Sequence, residues 1–151
     1  MEINVKKTMD DAVIPVFAHP TDTGFDLFTA EDLIVQGRKK AIAKTGLIFE
    51  IPNGWGIQIK NKSGITVKGV PTINGEKADI TVYEGTIDMD YRGELGIMLK
   101  NEEEYEITIP KHTKIAQGVL RRVYHCTFNE VNEVSDTARG EGGFGSTGTC
   151  R

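Results

Sequence analysis

Five short segments of this chain combine residue types that can handle a phosphorylated ligand. The C-terminal run Arg139-Gly140-Glu141-Gly142-Gly143-Phe144-Gly145-Ser146-Thr147-Gly148 holds five glycines, two hydroxyls, one aromatic ring and one guanidinium. Glycines let backbone N–H groups approach phosphate oxygens, Ser146 and Thr147 add donors, and Arg139 offers an anion a planar fork. A glycine-rich terminus is ordinarily a flexible end. A linker, however, has no use for Phe144, whose ring can stack on a base for ~1–3 kcal/mol. Gly140, Gly142 and Gly145 also match G-x-G-x-x-G, but that motif needs a strand before it and a helix after it, and six residues remain after Gly145. The Walker pattern is absent.

The other four segments are individually weaker. Gly85-Thr86-Ile87-Asp88-Met89-Asp90-Tyr91-Arg92-Gly93 brings two carboxylates and a tyrosine together, and Asp88 and Asp90 share a face if the segment is extended. Asn61-Lys62-Ser63-Gly64 joins a cation, a hydroxyl and a flexible backbone at the end of a strand. Thr23-Gly24-Phe25-Asp26-Leu27 sets one acid among apolar neighbours, and Lys114-Ile115-Ala116-Gln117 sets an amide on a strand. Each alone reads as a turn or strand end. His125-Cys126 suggests a metal pair, but structural zinc needs four converging ligands and neither CxxC nor HxxxH occurs, so both read as strand residues. Cys126 and Cys150 read as two free thiols.

The elements that must position these segments are strands. Leu47, Phe49 and Ile51 alternate onto one face; after Pro52-Asn53-Gly54, Trp55, Ile57 and Ile59 repeat the pattern, which reads as a β-hairpin. Leu95, Ile97 and Leu99 follow the same period, as do Tyr105, Ile107 and Ile109, and then Ile115, Gln117 and Val119. Turn residues recur roughly every 8 to 12 positions, the spacing of a sandwich or barrel. With 17 glycines, 5 prolines and no long amphipathic pattern, the chain reads as all-β, an antiparallel jelly-roll-like double sheet. The basic run Arg38 to Lys40 and the acidic run Asn101 to Glu106 read as solvated hairpin tips. Asn74-Gly75, between two β-branched runs, marks a separate small hairpin within 70–84.

At 151 residues the chain has the size of one domain, able to bury ~70% of its unfolded surface. Residues 1–136 read as that domain, and 137–151 are expected to form a flexible C-terminal arm. The net charge of −4 argues against nucleic-acid or membrane-surface binding. The N-terminus lacks a signal-peptide core and no stretch approaches the ~20 apolar residues of a membrane span, so a cytoplasmic protein is expected.

Together the five segments resemble those of the trimeric dUTPase family, in order and across almost the whole chain: Asp22 to Leu27, Lys62 to Gly64, Gly85 to Glu94, Lys114 to Gln117 and Arg139 to Gly148. The resemblance implies a dUTPase-like β-clip and a homotrimer with shared active sites. It implies hydrolysis of dUTP to dUMP and pyrophosphate with Mg²⁺, by water attack on the α-phosphorus. It matches Asp88 to the acid that activates water, Tyr91 to the ring that excludes a 2′-hydroxyl, and Lys62, Ser63, Gly64 and Gln117 to phosphate-side groups. Asp26 matches an acid near the metal, acting through water. Phe144 matches the ring that covers uracil, and Arg139, Gly145, Ser146 and Thr147 belong to the closing arm.

The chain departs from the family pattern twice. Asn61-Lys62 stands where Pro-Arg is usual, which keeps a charge but loses the planar fork. Val82 stands where many members have an asparagine that reads the uracil edge, so base reading is expected from the backbone of Val82, Gly85, Thr86 and Ile87 or from the hairpin. A longer stretch between Ser63 and Asp88 resembles viral or prophage members, whose setting would be the host cytoplasm. Two alternatives stay open: a dCTP deaminase-like relative, and a dUTP-gated protein that binds a regulatory partner through 70–84.

Overall fold

A computed structural model describes residues 1–143. In chain order the strands are β1 (Asn4–Lys7), β2 (Gly24–Phe28), β3 (Leu33–Val35), β4 (Lys40–Lys44), β5 (Leu47–Glu50) and β6 (Trp55–Lys60). One short helix follows, α1 (Ser63–Lys68), then β7 (Val70–Pro71), β8 (Lys77–Ala78), β9 (Ile80–Val82), β10 (Gly85–Ile87), β11 (Gly96–Asn101), β12 (Ile107–Ile109) and β13 (Lys114–Arg122). No helix among the described residues is long and apolar enough to cross a membrane.

Every strand pair is antiparallel, and the pairing is nested: β2 with β13, β3 with β12 and β4 with β11. The chain therefore runs out and back as one long double ribbon, rolled so that its apolar face turns inward. This is the jelly-roll arrangement expected from the spacing of turns. The main sheet has the order β10-β6-β13-β2, a three-stranded sheet the order β4-β11-β9.

The alternation read from the sequence identifies the core. Leu47, Ile57, Ile59, Leu95, Ile97, Leu99, Ile109 and Ile115 are all almost wholly buried. Partner choice differs from expectation. Leu47 to Glu50 and Trp55 to Lys60 do not pair as a hairpin: β5 pairs with β1, and β6 pairs with β10 and β13. The turn at Pro52 to Trp55 instead passes the chain from one sheet to another. Period two states which side chains go inward, and nothing in it states which strand lies alongside.

Three local readings are also corrected. Tyr105 lies before β12 and is exposed. The acidic turn exists because buried Asn101 folds it: Asn101 Nδ2 donates to the carbonyls of Val35 at 3.0 Å and Tyr105 at 2.8 Å, and its Oδ1 accepts the Glu103 N–H. The turn then meets the basic one, with Arg38 ion-paired to Glu104 at 2.6 Å. The Asn74-Gly75 hairpin spans β7 and β8 only and is seated through fully buried Val70, while β9 joins β11. His125 and Cys126 are exposed and lie outside any strand.

Candidate active site

The third segment builds an open cleft. Gly85, Thr86 and Ile87 pair with Ile59, Gln58 and Ile57 of β6, and the strand stops there because the chain turns: Tyr91 N–H donates to the Asp88 carbonyl at 3.2 Å. The segment is thus not extended, and Asp88 and Asp90 do not share a strand face. Arg92 ties the turn by donating to the carbonyls of Met89 at 2.7 Å and Tyr91 at 3.0 Å. Gly85, Thr86, Ile87, Asp88 and Tyr91 all line one cleft of about 410 Å³. Asp88 is exposed at its edge, and no described residue forms an ion pair with it. A Cβ on Gly85 would meet only ordinary contacts, with Ile59 at 3.7 Å and Met98 at 3.8 Å, so packing does not demand glycine there. Its absence of a side chain leaves the cleft deeper by a methyl group.

Val82, expected to lend its backbone to base reading, is buried and pairs with Leu99; its neighbour Tyr83 lines the cleft instead. Sequence reasoning also missed Ile42, Met98 and Glu94 in the lining. Ile42 and Met98 face each other across β4 and β11, strands more than fifty residues apart, and remain largely exposed. An apolar residue on the outward parity of two strands was the available signal.

The first, second and fourth segments converge elsewhere. Asp26 is buried on β2, its Oδ1 bonded by Lys62 Nζ and its Oδ2 by Lys114 Nζ at 2.9 Å. Burial pushes the Asp26 carboxyl up, but hydrogen bonds from Lys62 and Lys114 outweigh it and hold the group below the ordinary aspartate range. Gln117 lies between Asp26 and Lys60 in strand register. Its amide donates to the Asn61 carbonyl at 2.9 Å, and a Cβ on Gly24 would come within 2.6 Å of its Oε1. Lys62 precedes α1 with no side-chain cap, so Ser63 and Gly64 begin an exposed first turn with free backbone donors. Gly64 faces open space. The group can receive phosphate oxygens from several directions.

No cluster of three His, Cys, Asp or Glu side chains that could hold a metal occurs among the described residues. Asp26, the expected indirect metal partner, already has both oxygens taken by lysines. These residues do not make a cage for a divalent cation. Arg139 donates from Nε to the Gly142 carbonyl at 2.7 Å, within its own turn. Phe144, Gly145, Ser146 and Thr147 lie outside the described residues.

The two groups are separated within one chain. Asp26 and Asp88 belong to opposite edges of the four-stranded sheet, three spacings or on the order of 14 Å apart. Along β6, Ile57 opposite Ile87 is three residues or about 10 Å from Lys60, with Ser63 beyond.

Residues 10–148 match the family model for dUTPase. A deoxyuridine 5′-triphosphate nucleotidohydrolase of Clostridioides difficile is 40% identical over 146 residues, covering 97% of each chain. One from Nautilia profundicola is 40% identical over 149 residues, covering 98% of this chain and 99% of that one. Among solved structures, the Staphylococcus bacteriophage 80alpha dUTPase with dUPNHPP superposes with a TM-score of 0.86 at 28% identity, covering 98% and 99% of the two chains. Phage dUTPases of that group are reported to control transfer of virulence genes.

Proposed function

The chain belongs to the dUTPase family and hydrolyses dUTP to dUMP and pyrophosphate; we propose that Asp88 is its general base. The observation that carries this is Asp88 itself, exposed on a cleft whose lining includes Gly85, Thr86, Ile87 and Tyr91. Water is a poor nucleophile at neutral pH, and a carboxylate that keeps its lone pairs can orient it and take its proton, for roughly a hundredfold gain or more. In this reading uracil and sugar enter the cleft, where backbone groups of Gly85, Thr86 and Ile87 meet the base edge and Tyr91 packs on the deoxyribose. A 2′-hydroxyl would collide with that ring.

The triphosphate is met by Lys62, Ser63, Gly64 and Gln117. Ser63 and first-turn N–H groups donate to oxygens that gain charge as pyrophosphate leaves. The separation of this group from Asp88 supports a homotrimer with shared sites, one copy supplying the cleft and another the cations. Exposure of Tyr124, Phe128 and Val134, at 83%, 95% and 85%, supports the same reading, since an extended apolar tail needs a second copy to cover it. Mg²⁺ would arrive on the triphosphate, which suits an ion that dehydrates reluctantly, and would neutralise phosphate charge. Residues 137–151 serve as a lid, with Arg139, Gly145, Ser146 and Thr147 on phosphates and Phe144 over the base; glycine-rich composition with one aromatic supports this. Removal of dUTP from DNA precursors and supply of dUMP for dTMP synthesis fit a cytoplasmic setting.

A second reading, in which dUTP gates a protein partner, draws on the likeness to the 80alpha enzyme and on Ile73, 65% exposed at the tip of the β7–β8 hairpin. The deciding experiment measures pyrophosphate and ammonia from dUTP, UTP, dTTP and dCTP side by side. Pyrophosphate from dUTP alone is expected. Ammonia from dCTP would support a deaminase instead.

A further inference from the structure

Tyr91 is 45% exposed, so packing alone does not fix its ring. Two features do. The ring lies over Gly93, where a Cβ would collide with the Tyr91 hydroxyl and Cζ. Its hydroxyl donates to the Glu94 carbonyl at 3.2 Å. The Glu94 side chain is anchored in turn: Oε1 accepts the Gly46 N–H at 2.9 Å and Oε2 accepts the Thr8 hydroxyl at 3.2 Å. The anchor points are themselves held. Gly46 has φ +68°, and a Cβ there would come within 2.7 Å of Ala12 Cβ. Thr8 N–H donates to the Gly46 carbonyl at 2.8 Å; Leu95 N–H, in the same peptide unit as the Glu94 carbonyl, donates to the Leu47 carbonyl at 2.8 Å and holds that unit from its other side.

We propose that Glu94 is a positioning residue for sugar selection, clamping the backbone whose carbonyl holds the Tyr91 ring against the deoxyribose. This rests on the reading of Tyr91 as the sugar-facing ring. The carboxylate, spanning Gly46 and Thr8, and the Leu95 N–H bond to Leu47 together hold the carbonyl at position 94, and the Tyr91 hydroxyl that it accepts is held with it. A ring free to swing would make room for a 2′-hydroxyl. Glutamate suits the role because its two oxygens reach two anchors at once. Glutamine would still do so, its oxygen accepting from Gly46 and its amide donating to the Thr8 hydroxyl.

The test measures kcat/KM for dUTP and for UTP on the full chain. Glu94→Ala and Tyr91→Phe should each lower the dUTP-to-UTP ratio by about tenfold, as expected for sub-ångström misplacement of a selective contact. Thr8→Val should lower it about twofold, and Glu94→Gln should restore it. The double variant Tyr91→Phe with Glu94→Ala should be no less selective than either single change, because both act through one hydrogen bond. If Glu94→Ala does not fold, Thr8→Val and the glutamine rescue decide the matter. Equal losses on both substrates would mean that Glu94 serves the fold alone, and would overturn the proposal. A Tyr91→Ala control separates the two levels. A ratio unchanged there removes the reading of Tyr91 and the proposal with it; a ratio that falls there but not in Glu94→Ala removes the proposal only.

Discussion

Asp26 and Asp88 sit on opposite edges of one four-stranded sheet and meet opposite environments. Asp26 is mid-strand, 5% exposed, with one lysine on each oxygen. Asp88 stands one residue past a strand that ends in a turn, exposed, with no ion-pair partner among the described residues. A carboxylate buried in a strand must be paired, because an isolated charge there is too costly to leave bare. Pairing fixes the lysines and occupies the carboxylate. At a strand end solvent does that work, and the lone pairs stay available to water, as the proposed general base requires.

That contrast makes graded predictions. The largest effect belongs to Asp88→Asn, which should lower pyrophosphate release from dUTP by at least ~100-fold while leaving dUTP affinity nearly unchanged. Robust turnover in this variant would remove the assignment of the base. Truncation after Thr137 should cost roughly 100-fold in turnover through lost closure, with the thermal midpoint and sedimentation of the remaining chain unaltered. Lys62→Ala should raise KM for dUTP about tenfold, the worth of one charge-assisted contact, with a smaller change in kcat.

The smallest effect is on stability. The folded Asp26 carboxyl lies below its unfolded value, so its contribution is complete above the unfolded pKa and lost as pH falls through the folded one. Because Lys62 and Lys114 both reach solvent, Asp26→Asn should cost only about 1 kcal/mol at neutral pH. Urea melts across the acidic range should show the wild-type advantage vanishing as pH falls. An advantage that persisted below that range would mean the lysines do not use this carboxylate.

Most of the core could be read directly, since Leu47, Phe49, Ile51, Ile57, Ile59, Leu95, Ile97 and Leu99 all lie on the parity that turned out buried. The same rule misled at Tyr105, where a buried asparagine four residues earlier bends the chain away from its partner strand. It also failed at β13, where a bulge between Lys114 and Ala116 lets Ile115 and Ala116 both be buried. Asp88, Tyr91 and the glycine before them stood out through residue type. Tyr83, Ile42 and Met98 did not, because each reaches the cleft through backbone pairings across the fold, and Glu94 did not because its side-chain partners, Gly46 and Thr8, are distant in sequence.

The sequence by itself determined the residue types at the site, the inward parity of most strands and the family to which the chain belongs. These depend on local chemistry and on a two-residue period, both written along the chain. Tertiary structure alone decided that β5 and β6 part company, that Asp26 is spent on two lysines, and that Asp26 and Asp88 stand at opposite edges of one sheet. The physical reason is that strand pairing is set by contacts between segments distant in sequence, and a pleat carries the same alternation whichever neighbour it finds.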